Sequence, residues 1–169
     1  MSQSRDDFFQ QATAMYGGAL ERLVRAYELD PEKRSDLLQE IHLALWLSFE
    51  KFEGRCSLRT WVYRIAHNIA TSHVIRQRRA NSRLLNLEEI DVMPQQSDPH
   101  SADRLDLERL LQLIHRLNPP DRELMLLYLE DLDAGAIGEI MGLSAVNVRS
   151  KVHRLKTILA RRFHSGGQP

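Results

Sequence analysis

The densest chemistry in the chain lies in two stretches of basic, amide and aromatic side chains. The first is AGAIGEIMGLSAVNVRSKVHRLK, residues 134–156. Ile137, Met141, Leu143, Val148 and Val152 are spaced to form the shared core of two helices joined by a turn at Gly142, and Gly138 lies where the helices must approach closely. That layout is a helix-turn-helix, whose second helix enters the major groove of duplex DNA. At about 100° per residue, Val148, Val152, Leu155 and Leu159 fall on one stripe of that helix. Asn147, Ser150, Arg154 and Arg161 point away from it, flanked by Lys151 and His153. The exposed face therefore carries donors for base edges and phosphates and no carboxylate. An ordinary amphipathic helix with a basic surface explains the stripe but not the spacing of the Gly turn and the Ser144 cap.

The second stretch is LRTWVYRIAHNIATSHVIRQRR, residues 58–79. Trp61 and Tyr63 share it with Arg59, Arg64, His67, Asn68, Thr71, His73 and Arg76. Aromatic rings beside arginines and amides suit single-stranded nucleic acid, whose unstacked bases can be captured. By its period Trp61 belongs to a core stripe with Leu58, Ile65 and Ile69, whereas Tyr63 falls off that stripe and is the better surface candidate. A third grouping, Asp36, Gln39 and Glu40, shares one polar helix face at three- and four-residue steps. Spacing alone favours acids suited to a helix start; a docking face for a partner is the alternative.

Helices must position all three groups. Gly and Pro number only 8 and 6, no period-2 run is sustained, and apolar residues recur at three- and four-residue steps, so the chain reads as all-α. The first helix is expected from about Asp6 to Tyr27, weakened at Gly17-Gly18. Asp30-Pro31 reads as an N-cap followed by Pro at the first helical position, opening a helix to about Phe52 that buries Leu38, Ile41, Leu45, Phe49 and Phe52. Gly54 breaks it, and Ser57 caps the third helix. Residues 86–103, rich in acids and holding Pro94 and Pro99, read as a flexible acidic linker between two small helical domains, residues 1–85 and 104–165. Beyond it, a helix from Leu105 to Leu117 precedes three more, capped by Asn118, Asp133 and Ser144.

Charge supports the same division. The 23 Lys plus Arg balance 23 Asp plus Glu, and a net charge of zero argues at first against a phosphate binder. By segment the net is −4 for 1–53, +7 for 54–87, −8 for 88–133 and +5 for 134–169. Each of the two stretches thus sits in a basic block nearly free of acid, and partners feel local potentials more than totals. One Cys excludes a disulfide-framed protein, and Cys56 reads as a bystander thiol. No apolar run approaches the roughly 18 residues of a membrane span, and the N-terminus does not resemble a signal peptide, so a cytoplasmic protein without membrane insertion is expected. His67 and His73 stand six apart, off a common helical face, so no metal site or other cofactor is expected. With no P-loop, nucleophile elbow or paired carboxylates, no enzyme is expected either.

In their order and spacing, DLLQEIHLALW, WVYRIAHNIATSHVIRQRR, LNPPDRELMLLYLEDL and IGEIMGLSAVNVRSKVHRLK resemble the extracytoplasmic-function (ECF) sigma factors of bacterial RNA polymerase. The resemblance covers about Leu20 to Arg162. It implies that residues 1–85 are sigma region 2, with Asp36, Gln39 and Glu40 docking on the clamp helices of the polymerase β′ subunit. It also implies that the Gly54–Ser57 loop and the helix after it melt −10 promoter DNA and hold a flipped base, placing Arg59, Tyr63, Arg64, His67, Asn68, Thr71 and Arg76 at that strand. Residues 104–165 would be region 4, bound at the β flap and reading −35 duplex with Asn147, Arg149, Ser150, His153 and Arg154. The linker would thread toward the RNA exit path, and an anti-sigma factor is a further implied partner. Asp131 and Asp133 stand where many relatives carry Gly and Ser, and His67 where Arg or Val is more usual. Two other readings remain: a stand-alone helix-turn-helix regulator, and a helical decoy that sequesters an anti-sigma factor. The sigma reading expects weak DNA binding by the free protein, whose two DNA surfaces are oriented only on polymerase.

Overall fold

The computed structural model describes residues 4–84 and 102–165. Seven helices follow one another: α1 (Arg5–Tyr27), α2 (Pro31–Ser48), α3 (Leu58–Leu84), α4 (Ala102–His115), α5 (Pro119–Leu129), α6 (Ala134–Met141) and α7 (Ala145–Ser165). No strand occurs among the described residues. Most of the expected linker, 86–103, lies outside them.

The helix starts are set locally. Asp30 accepts from the backbone N–H of Glu32 at 2.9 Å, Ser57 from Thr60 at 3.1 Å, Asn118 from Asp121 at 3.0 Å, Asp133 from Gly135 at 2.8 Å and Ser144 from Asn147 at 3.2 Å. Each satisfies an N–H that the first helical turn leaves without a partner. Ser4 and Asp7 add a reciprocal capping box on α1. Gly142 ends α6 in the left-handed region (φ 71°), its N–H bonded to the Gly138 carbonyl. Gly138 is required by close approach: a Cβ there would lie 2.4 Å from the Leu143 carbonyl oxygen.

Helix α1 runs through Gly17-Gly18, because Ala12, Leu20, Leu23 and Val24 pack it into the core and outweigh the local propensity. Two expectations about α2 and α3 are corrected. Helix α2 ends at Ser48 and is continued by a 3-10 turn, Phe49–Lys51; Leu37 is fully buried, and Leu38 only partly. The buried stripe of α3 is Val62, Tyr63, Ala66, His67, Ala70 and Val74, while Leu58, Trp61, Ile65 and Ile69 are half-buried. The reason is that α3 is packed from two sides, by α1 and α2 and also by α5 and α6. Trp61 lies against Phe52, ring centroids 5.2 Å apart, and donates from Nε1 to Ser48 Oγ at 2.9 Å.

The two halves of the chain pack on one another. Arg22 of α1 grips the carboxylate of Glu130, just past α5, with Nε and Nη2 at 2.7 and 2.9 Å. His115 of α4 donates from Nδ1 to the Ala26 carbonyl at 2.9 Å, and the Arg122 guanidinium lies 5.0 Å from the Tyr27 ring centroid. Arg122 is itself buried and donates to the carbonyls of His115 and Leu117, tying α5 to the end of α4.

Candidate nucleic-acid interface

The face expected to read duplex is presented as a unit. Val148, Val152, Leu155 and Leu159 are buried, and Asn147, Arg149, Ser150, His153 and Arg154 are all exposed on α7. The Ser144 cap and the Gly142 turn set where α7 starts, and the Gly138 contact sets how closely α6 lies beneath it. Asp121 at the start of α5 lies 3.9 Å from both Lys151 Nζ and Arg154 Nη2. Those are loose pairs, weak enough for a phosphate or guanine to replace. Sequence reasoning passed over Val146, 68% exposed in the first turn of the same helix; an apolar residue outside the core stripe was its only signal.

The residues expected at single-stranded DNA are divided. Asn68 and Arg76 are exposed and Thr71 is half-buried. Tyr63 and His67 are buried, which corrects the reading of Tyr63 as a surface ring and of His67 as an accessible contact. Tyr63 packs against Tyr16 (centroids 5.9 Å apart) beside Arg22 and Glu130, and burial pushes its hydroxyl up to about 12. His67 shares a 3.2 Å hydrogen bond with the Tyr27 hydroxyl, and burial pushes it down to about 3, so it is neutral. No sequence period reveals this, because the covering side chains come from α1 and from the second half of the chain.

Arg59 and Arg64 are engaged from that half. Arg59 donates to the Glu130 carbonyl, and Arg64 Nη2 to the Glu139 carbonyl at 3.0 Å. Both carbonyls belong to helix C-terminal ends, where the last C=O groups have no intrahelical partner and the dipole is negative. A cleft of about 550 Å³ remains between the Lys51–Cys56 segment and α6, lined by Phe52, Cys56, Trp61, Arg64 and Glu139.

The expected docking residues share a face of α2. Asp36 and Gln39 are exposed; Glu40 is half-buried and accepts from Arg76 Nη2 at 2.8 Å. Further along the same face, Leu43 and Leu47 are 58% and 50% exposed, an apolar continuation that sequence reasoning missed. Among the described residues no group of three or more His, Cys, Asp or Glu could hold a metal ion, and no helix is long and apolar enough to cross a membrane.

Comparison with known proteins accounts for both halves. The sigma-70 region 2 family model matches residues 13–80, and the sigma-70 region 4 model matches residues 107–159. The ECF RNA polymerase sigma-E factor of Haemophilus influenzae is 32% identical over 135 residues, covering 73% of this chain and 71% of its own length. The RNA polymerase sigma factor NccH of Alcaligenes xylosoxydans xylosoxydans is 25% identical over 157 residues, 89% of this chain and 84% of its own. Among solved structures, the sigma factor RpoE in complex with the anti-sigma factor NepR from Bartonella quintana superposes with a TM-score of 0.73 at 19% identity, over 95% of this chain and 98% of that one. CnrH in complex with the cytosolic domain of CnrY gives 0.64 at 20% identity, over 93% and 88%. A region 2 match has no place in a stand-alone regulator, so that reading is not favoured. The chain belongs to the ECF sigma factors of RNA polymerase, and it acts as an alternative sigma factor that directs transcription initiation.

Proposed function

We propose that this sigma factor docks on the β′ clamp helices of core polymerase through Asp36, Gln39 and Glu40, extended by Leu43 and Leu47. The acids supply orientation and the two leucines supply apolar area that water leaves on docking. Region 4 sits at the β flap and reads −35 duplex through Asn147, Arg149, Ser150, His153 and Arg154. The observation that carries this reading is the carboxylate-free exposed face of α7, seated on a helix-turn-helix whose capping and glycine contacts are all in place. Region 2 melts −10 DNA and captures the non-template strand, with Asn68, Thr71 and Arg76 open to it, Arg64 at the cleft and Arg59 beside the buried Tyr63. Melting draws on binding energy to unstack a base, as other proteins that extrude bases do. The protein works in the cytoplasm with polymerase, needs no cofactor and performs no catalysis of its own. An anti-sigma factor is a further partner, the relation that RpoE of Bartonella quintana displays in its complex with NepR.

Reconstitution with core polymerase and run-off transcription from a promoter library tests this. Initiation from a subset of promoters sharing −35 and −10 elements is expected. No initiation, together with tight operator binding by the free protein, would remove the sigma reading.

A further inference from the structure

We infer that Asp121 makes Arg154 a reader of bases rather than of phosphates, and so sets how sharply region 4 discriminates between promoters. The inference rests on the proposed −35 role of α7. Helix α7 carries no acid of its own, but a carboxylate reaches its DNA-facing side from the first turn of α5. Asp121 Oδ1 lies 3.9 Å from Lys151 Nζ, and Asp121 Oδ2 lies 3.9 Å from Arg154 Nη2. Those distances are too long for hydrogen bonds, so the carboxylate acts on both cations through its charge. It is also fixed. Its side chain is only 13% exposed, Asn118 Nδ2 donates to its Oδ2 at 2.9 Å, and its backbone N–H donates to Asn118 Oδ1 at 3.0 Å. Lys151 and Arg154 are the longer and more exposed side chains, so they can swing to DNA while Asp121 stays in place.

A fixed negative charge behind two cations separates the acceptors that DNA offers. A phosphate drawn to Arg154 also meets the like charge of Asp121 and loses part of its attraction. O6 and N7 of a guanine carry no net charge, so they take the guanidinium donors without that loss. Lys156, five residues beyond Lys151, provides the contrast: its Nζ donates to the Tyr128 hydroxyl at 3.1 Å, not to a carboxylate, and so suits a phosphate. The DNA face of region 4 therefore holds cations of two kinds. Those tempered by Asp121 discriminate between sequences, and Lys156 holds any duplex.

Asp121→Asn keeps the shape and removes the charge. Holoenzyme is titrated with two promoter duplexes that differ only in the −35 element, one selected from the promoter library and one scrambled. Asp121→Asn should bind the scrambled duplex about threefold to fivefold more tightly and the selected one less than about twofold more tightly, so the preference falls. On the scrambled duplex its salt slope should steepen by about one, the signature of one further phosphate contact. In an Arg154→Ala background the same change should raise both affinities equally, because Asp121 sets preference through Arg154. Asp121→Glu restores the charge and should keep the wild-type preference, whereas Lys156→Ala should weaken both duplexes alike. Equal tightening of both duplexes by Asp121→Asn overturns the inference in favour of a general field. No change in either overturns it in favour of an acid that serves only the start of α5. A preference that falls as far in Asp121→Glu as in Asp121→Asn overturns it too. Wild-type holoenzyme with no −35 preference removes the function reading itself, and the inference with it.

Discussion

Burial assigns different roles to residues of similar chemistry. Arg154 is exposed and loosely paired, so Arg154→Ala should cost about 1–3 kcal/mol at the −35 site and relax preference at one base pair; a binding profile that keeps its preference would show that Arg154 touches only phosphate. Glu123 is held up to about 7 by burial. A raised carboxyl favours folding below its unfolded value and loses that contribution as pH rises through the folded one. Glu123→Gln should therefore stabilise the protein by about 1–2 kcal/mol at pH 8 and change little near pH 4, as read by urea melts at both values. His67 has the opposite sign. Its neutral form is favoured by burial, so it withdraws stability as pH falls from the ordinary histidine value of 6.5 toward about 3. His67→Phe keeps an aromatic ring, one heavy atom larger, and should flatten that acid limb, although it gives up the Tyr27 hydrogen bond.

At the scale of elements, two glycines with the same helix propensity should respond oppositely. A Cβ at Gly17 meets nothing within 4 Å, so Gly17→Ala should raise stability by about 0.5–1 kcal/mol. At Gly138 the added Cβ meets a backbone carbonyl that cannot rotate away, so Gly138→Ala should cost about 1–3 kcal/mol and loosen the helix-turn-helix. Thermal melts of both variants decide the matter. The elements were legible in the sequence wherever their signal was local. The caps at Asp30, Ser57, Asn118, Asp133 and Ser144 depend on the next three residues alone, and each forms. The α7 stripe was legible because one side of that helix is left to solvent. The α3 stripe was not: a helix covered from two sides has no single apolar period, and Tyr63 and His67 are buried by partners distant in sequence. The weakening expected at Gly17-Gly18 leaves α1 continuous for a related reason, since propensity is a small term beside a packed face.

For the whole molecule, the docking face and the DNA faces should be separable by substitution. Leu43→Ala with Leu47→Ala removes only exposed side chains, so the melting temperature should stay within about a degree, in keeping with the small effect of surface changes. Affinity for core polymerase should fall at least about tenfold if both leucines are desolvated on docking. Unchanged affinity would confine docking to the acidic end of α2. The zero net charge also takes on a geometric meaning. Opposite charges segregated along the chain come together in space, as Lys151 with Asp121 and Arg76 with Glu40.

The second of these pairs ties together two proposed tasks. Glu40 belongs to the polymerase face, Arg76 to the DNA face, and in the free protein each neutralises the other. A clamp-helix cation that draws Glu40 away frees the guanidinium for a phosphate, and a phosphate that draws Arg76 away frees the carboxylate for the clamp. Such reciprocity is a heterotropic linkage, in which each ligand raises affinity for the other by the same factor. Arg76 is well exposed and Glu40 only half-buried, so the pair is worth at most about 1 kcal/mol and the factor at most about fivefold. On the proposed roles of Glu40 and Arg76, a single surface ion pair would make promoter DNA a weak effector of holoenzyme assembly.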